Sequence, residues 1–135
     1  MKRIIVCSVF LAVVVMAKAQ GNLQFNQVIR LSYSGTVVTS TTPVTAGTIT
    51  VPANKVWKIE SGSALDSKLT TVAFSLTVDG QLVYNGHSPA SSMPFYATQP
   101  IWLGAGTYNV SVALVSGSNI AFVARISALE FNVTP

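Results

Sequence analysis

Titratable side chains and cysteine are scarce in this sequence. Its 135 residues include 8 Lys or Arg, 4 Asp or Glu, one histidine and one cysteine. General acid–base catalysis needs positioned titratable groups, and a metal site needs several converging carboxylates, imidazoles or thiolates. This inventory predicts no catalytic residue, no metal site and no bound cofactor.

The single histidine is the one residue for which a catalytic role has to be weighed. His87 is followed by Ser88, and a Ser-His-Asp triad would also require Asp66 or Asp79. Asp79 precedes Gly80 and is better explained as part of a tight turn. We therefore expect a surface histidine in a protein that is not an enzyme.

The first 19 residues have the pattern of a secretory signal peptide. Lys2 and Arg3 precede an apolar run from Ile4 to Ala17, and Ala17-Lys18-Ala19 resembles a cleavage site. That run of 14 residues is shorter than the ~18 expected of a membrane-spanning helix. The pattern predicts a mature domain of residues 20–135, without a membrane span, that is secreted, periplasmic or held at the cell surface.

Removing this segment changes the charge balance and the cysteine count. The basic residues fall from 8 to 5 against 4 acids, so the formal charge falls from +4 to +1. The remaining cations are dispersed: Arg30, Lys55, Lys58, Lys68 and Arg125. Nucleic-acid binding requires a basic face, so nucleic acid is not expected as a partner. Cys7 also leaves, which makes packing the only source of stability and favours a bacterial origin.

The remaining 116 residues have the composition and periodicity of a β protein. Thr, Ser, Val, Ala and Gly dominate, and no apolar residues recur at helical spacing after residue 19. Short alternating segments separated by turn residues predict one antiparallel β-sandwich of eight to ten short strands, with jelly-roll-like topology.

The segment from Val51 to Glu60 combines a turn, a strand and the first tryptophan. Pro52 and Asn54 favour a chain reversal, and alternation beyond it predicts that Trp57 lies in the core. We expect this turn to join the strands on either side of it into a hairpin. Residues 61–68 are then expected to form a polar loop.

Three other segments allow predictions of strand geometry. Residues 23–33 predict a long strand bulged near Gln27, followed by a turn at Ser34-Gly35 and a second strand over 36–41. A hairpin over 72–84 is predicted to use a three-residue turn, residues 78–80, that sets Leu76 opposite Leu82. In the last strand the apolar positions change parity, which predicts a bulge near Ser127.

The longest irregular stretch, residues 85–100, carries two aromatic residues that are candidates for ligand binding. Phe95 and Tyr96 lie within it, and Trp102 is expected to point outward if its two apolar neighbours point inward. These three residues could form a stacking platform for a sugar or a contact for another protein. The alternative is that Trp102 packs beneath the preceding loop.

Three motifs support a resemblance to a known class of modules. They are the Val-Pro-Ala turn with Lys-Val-Trp-Lys-Ile at 51–59, the segment Pro-Ile-Trp-Leu-Gly-Ala-Gly-Thr at 100–107, and Ile-Ser-Ala-Leu-Glu-Phe-Asn-Val at 126–133. The chain resembles secreted bacterial β-sandwich modules that are similar to jelly-roll domains of tail-fibre and adhesin proteins. It departs from them at Asn54, where glycine is usual, and at Gly104, where proline is common.

The resemblance implies an interaction or assembly role and supplies no catalytic residue. Because few charges are available to block strand addition, we expect self-association through a sheet edge or an apolar face. The segments 36–41 and 129–133 are the expected edges. The alternative function is a carbohydrate-binding module that uses Phe95, Tyr96 and Trp102.

Overall fold

Eight β-strands form the architecture of the protein. The computed structural model describes residues 22–39, 42–68, 72–88, 100–115 and 118–134. The predicted signal peptide, residues 1–19, lies outside these ranges. The strands are β1 (Asn22–Val37), β2 (Val44–Val51), β3 (Lys55–Asp66), β4 (Val72–Val78), β5 (Gln81–Ser88), β6 (Ile101–Leu103), β7 (Gly106–Leu114) and β8 (Ile120–Thr134). Among the described residues, no helix is long and apolar enough to cross a membrane.

The strands form two antiparallel four-stranded sheets with jelly-roll connectivity. One sheet has the order β1-β8-β3-β6 and the other β2-β7-β4-β5; we call them the β1 sheet and the β2 sheet. β1 pairs with β8, β2 with β7, β3 with β6 and β4 with β5. This is the pairing obtained when one long hairpin folds over into two layers, as in a jelly roll. The predicted sandwich is confirmed, although β1, β3 and β8 are longer than expected.

The core lies between the two sheets and consists of the inward-facing residues that alternate along the strands. Trp57 is only 7% exposed, which confirms its predicted burial. Phe74 of the β2 sheet meets Phe122 of the β1 sheet edge-on, with ring centroids 6.5 Å apart. This aromatic pair links the two layers at the centre of the core.

The turn after β2 connects the two sheets and does not form a hairpin. Asn54 has a φ of 60°, and the N–H of Lys55 donates to the carbonyl of Pro52 at 3.2 Å, so the predicted turn is present. The predicted hairpin is wrong, because β2 pairs with β7 while β3 pairs with β8 and β6. Proline and asparagine fix a local bend, but they do not determine which strand becomes the partner.

The β4–β5 hairpin has a two-residue turn rather than the predicted three-residue one. Asp79 and Gly80 both have positive φ, 49° and 79°, as a type I′ turn requires. Leu76 therefore lies opposite Tyr84 instead of Leu82. Val83 is an extra residue in β5, and this bulge shifts the later side chains of β5 to the opposite face. Tyr84 therefore faces the core with a two-residue turn, whereas regular alternation would have required a three-residue turn.

Two segments that were expected to be loops or turns lie inside long strands. β1 continues through Ser34 and Gly35 to Val37, so the separate strand over 36–41 was a wrong prediction. Residues 61–66 belong to β3, after a bulge at Glu60. A Cβ on Gly62 would approach Val83 Cγ1 to 2.5 Å, so glycine here allows the facing sheet to pack closely.

In β8 the even-numbered residues face the core along the whole strand, so the bulge predicted near Ser127 is wrong. Ile126, Ala128 and Glu130 are all buried, and the alternate residues Leu129 and Phe131 lie on the outer face. The bulges occur instead in the neighbouring strands, at position 26 of β1 and position 60 of β3. The segment 129–133 is also paired on both sides and is not a sheet edge.

Candidate functional site

The outer face of the β1 sheet carries two distinctive adjoining regions. At the end of the sheet near the first residues of β1 and the last residues of β8, the outward side chains are apolar. Further along the same strands they are serine and arginine. We call the first region the apolar patch, formed by Leu23, Phe25, Val28, Trp102, Leu129, Phe131 and Val133. The second is the arginine groove, whose outward residues are Arg30, Ser32, Ser61, Ser63, Arg125 and Ser127.

Strand alternation brings the apolar patch together from three strands. In β8 the inward positions 128 and 130 place Leu129 and Phe131 outward. Register pairs Phe25 of β1 with Phe131, and Val28 with Leu129. Trp102 of β6 lies outward between the buried positions 101 and 103, in the orientation predicted from the sequence.

The three rings of the patch contact one another in a row. Phe25 meets Phe131 edge-on with centroids 6.2 Å apart, and Trp102 lies 5.7 Å from Phe131 with the planes tilted by 37°. Phe25 and Trp102 remain 58% and 51% exposed. The ammonium of Lys58 lies 5.8 Å from the centroid of the Trp102 ring, within the range of a cation–π contact.

Only one of the three predicted binding residues lies within the described residues. Trp102 is placed on the outer face, whereas Phe95 and Tyr96 fall in the segment 89–99, outside the described ranges. Two residues of the row, Phe25 and Phe131, were not identified from the sequence. The bulge at position 26 puts Phe25 on the opposite face from Ile29, and Phe131 was expected to face inward beyond a bulge near residue 127. Reading 120–134 as one unbroken strand would have placed Phe131 beside Trp102.

A buried carboxylate lies on the opposite side of the sheet from the apolar patch. Glu130 is 3% exposed, and its Oε2 accepts a hydrogen bond from Trp57 Nε1 at 2.8 Å. Its Oε1 accepts from the side-chain amides of Asn26 at 2.5 Å and Gln27 at 3.1 Å. The bulge in β1 makes this possible, because two consecutive residues then oppose one residue of β8.

These contacts keep Glu130 ionised despite its burial. Burial acts to raise the pKa of this carboxyl, but the hydrogen bonds from Asn26, Trp57 and Gln27 lower it. The ammonium of Lys55, 3.6 Å from Oε1, lowers it further, and the net pKa lies below the usual value. The network joins β1, β3 and β8 and holds in place the strands that present the aromatic row.

The arginine groove is formed where β1, β8 and β3 run side by side. Register sets Arg30 opposite Ser127 and Ser32 opposite Arg125, while Ser61 and Ser63 face the same two β8 residues from the other side. The groove has a volume of about 450 Å³. Because the residues between the two guanidinium groups are serines, the floor of the groove is low and lined with hydroxyl groups.

Metal-ligating groups and the single histidine are the other chemical features considered from the sequence. Within the described part of the chain, no group of three or more His, Cys, Asp or Glu side chains is placed to hold a metal ion. The backbone of His87 belongs to β5 and pairs with Ala73, so residues 85–88 lie in a strand and the prediction of an irregular stretch is wrong for them.

Comparisons with known proteins do not assign a family. No protein-family model and no curated protein matches this chain. The outer face of the β1 sheet is therefore the basis for assigning a function.

Proposed function

We propose that this protein is an exported, non-enzymatic interaction module that associates with copies of itself through the apolar patch. The observation that carries the proposal is the contiguous apolar surface on β1, β8 and β6, with Phe25 and Trp102 more than half exposed. Exposed apolar patches of this kind commonly mark interaction sites in water-soluble proteins. The resemblance to tail-fibre and adhesin modules agrees with such a role.

A face contact is favoured over edge-to-edge strand addition because both edges of the β1 sheet are obstructed. β6 is only three residues long, and β1 is interrupted by the bulge at Asn26. Further along β1, Arg30 places a charge on the edge strand, and the Tyr33 hydroxyl donates to the carbonyl of Thr48 in β2 at 3.0 Å. Short, bulged and charged edges are the features that discourage pairing with another chain.

A second copy of the same chain is the partner that the patch fits best. A standard interface buries ~800 Å² on each partner, and the exposed apolar patch would form the central part of that area. At its border Lys58 and Glu60 form an ion pair at 2.6 Å. In a two-fold contact each copy can therefore offer both charges to the other, which makes the rim self-complementary.

Light scattering at micromolar concentration tests the proposal. We expect the unaltered protein to form a discrete oligomer, and Phe25→Ser or Trp102→Ser to weaken association by at least about tenfold. Val115→Ser is the matched control, because Val115 is 59% exposed but lies outside the patch. A strictly monomeric protein, or equal weakening by Val115→Ser, would refute self-association through this face.

A second candidate function is carbohydrate binding through exposed aromatic residues. The outward, exposed ring of Trp102 favours it, since such rings stack against the apolar faces of sugars. In this case Phe95 and Tyr96 would act with Trp102. Replacing the three aromatic residues by alanine should abolish glycan binding by a monomeric protein and leave its melting temperature nearly unchanged.

A further inference from the structure

We infer that the arginine groove is a second binding site, specific for a carboxylate-bearing saccharide. This site is separate from the apolar patch, shares no residue with it and does not depend on self-association. Three features support the inference: two guanidinium groups that have no acidic partner among the described residues, a hydroxyl-lined floor, and a width greater than that of a small inorganic anion.

The two arginines concentrate positive charge at one place on the outer face. Arg30 on β1 is opposite Ser127, and Arg125 is two residues from Ser127 along β8. Diagonal neighbours of this kind have backbones about 7–8 Å apart, so both side chains can reach one ligand. Among the described residues neither guanidinium has an acidic partner, and the groove is lined by no carboxylate.

The acids of the described chain are engaged elsewhere. Glu130 and Asp66 are buried, and Glu60 is paired with Lys58. Asp79 lies in the hairpin turn of the other sheet. Two like charges at this separation repel each other, and a bound anion relieves that repulsion. The guanidinium fork matches a planar carboxylate with two parallel hydrogen bonds, which gives orientation as well as charge.

The floor and width of the groove favour a sugar over a small inorganic anion. Ser32, Ser61, Ser63 and Ser127 present hydroxyl groups that can both donate to and accept from sugar hydroxyls. From β1 to β3 the groove crosses two strand spacings, about 9–10 Å in all. Its volume of about 450 Å³ lies within the range of small-molecule sites. A free sulfate or phosphate would use the arginines and leave most of this floor empty.

Calorimetric titration of the purified protein with digalacturonic acid tests the inference, and the dimethyl ester of the same disaccharide is the uncharged comparison. We expect saturable binding of the acid and at least about tenfold weaker binding of the ester. Arg30→Gln and Arg125→Gln should each weaken binding of the acid by about tenfold. Lys68→Gln is the matched control, because it removes an exposed cation outside the groove.

Three results would overturn the inference. The first is no binding of digalacturonic acid, and the second is equal binding of the ester. The third is full competition by equimolar sulfate or phosphate, which would indicate a general anion site. Phe25→Ser should retain digalacturonic acid binding, so failure of the saccharide site and failure of the self-association proposal are distinguishable. Melting curves of both arginine variants should match that of the unaltered protein, since the substituted side chains are exposed.

Discussion

The two sheets have similar inner faces but different outer faces. Apart from Leu82, which is opposite Thr77, the described residues on the outer face of the β2 sheet are mostly small and uncharged: Thr48, Thr50, Ser75, Thr77, Thr107, Asn109 and Ser111. Their side chains contact one another across neighbouring strands, as do the hydroxyls of Thr50 and Thr107, 3.5 Å apart. The outer face of the β1 sheet instead carries exposed aromatic rings and two arginines. Both faces satisfy the requirements of folding, so the additional features of the β1 sheet point to function.

Among the substitutions considered, removal of the tryptophan beneath the apolar patch should reduce the stability of the β1 sheet most. Trp57→Ala removes a buried ring from the β1 sheet and leaves Glu130 without its indole donor. We expect a loss of about 3–5 kcal/mol in the free energy of unfolding, measured by urea denaturation. Tyr108→Ala, which removes a half-buried ring from the β2 sheet, is the comparison and should cost less. A loss below about 1 kcal/mol for Trp57→Ala would contradict its assigned packing.

Adding a methyl group at a close approach of the two sheets should have the next largest effect. Gly62→Ala would place a Cβ 2.5 Å from Val83 Cγ1 and 3.0 Å from Leu76 Cδ2, which forces the layers to adjust. We expect a loss of about 1–3 kcal/mol in the free energy of unfolding. Gly104→Ala is the control, because a Cβ there meets nothing within 4 Å. Equal stability of the two variants would show that the layers are less closely packed than described.

Neutralising the buried carboxylate should give a smaller, pH-dependent loss. In Glu130→Gln an amide N–H₂ group must face either Trp57 Nε1 or the amide donors of Asn26 and Gln27. We expect a loss of roughly 1–3 kcal/mol in the free energy of unfolding at neutral pH. Glu60→Gln should cost less than about 1 kcal/mol, since Glu60 is in an exposed ion pair.

The sign of the pH dependence follows from the lowered pKa of Glu130. The folded protein binds this proton less readily than the unfolded chain, so the contribution to stability is present above the unfolded pKa. It is lost as the pH falls through the folded pKa, and the difference between the two proteins should shrink on acidification below about pH 4. A difference that grows on acidification would contradict the described network.

Substitution on the outer face of the β2 sheet should have the smallest effect. Thr50→Ser removes one exposed methyl group and should change the free energy of unfolding by less than about 0.5 kcal/mol. It should leave both light scattering and digalacturonic acid titration unchanged. An effect on either binding measurement would mean that function is not confined to the β1 sheet.

The sequence allowed the layers to be predicted better than the pairing of strands. Alternation identified the sandwich, the burial of Trp57 and the outward direction of Trp102, because these depend on local side-chain period. The partner of β3 and the register of the β4–β5 hairpin depend on long-range packing and on a bulge at Val83. Neither is encoded in a short stretch of residues.

The candidate sites depend on contacts between residues distant in sequence. Arg30 and Arg125 are 95 positions apart and meet only because the first strand pairs with the last. Glu130 was not identified from the sequence, since an isolated carboxylate is rarely buried. Its burial requires the amides of Asn26 and Gln27, which converge on it through the bulge in β1.

The pairing of β1 with β8 also determines how the molecule responds to mechanical load. Asn22 lies opposite Thr134, so both ends of the described chain leave the same corner of one sheet. A force pulling these two residues apart would break the hydrogen bonds of the β1–β8 ladder one after another, as in unzipping, because the bonds run perpendicular to the strands. A force applied along the strands would instead shear many bonds at once. The domain would therefore resist tension best when the load runs along the strands of the β1 sheet rather than between Asn22 and Thr134.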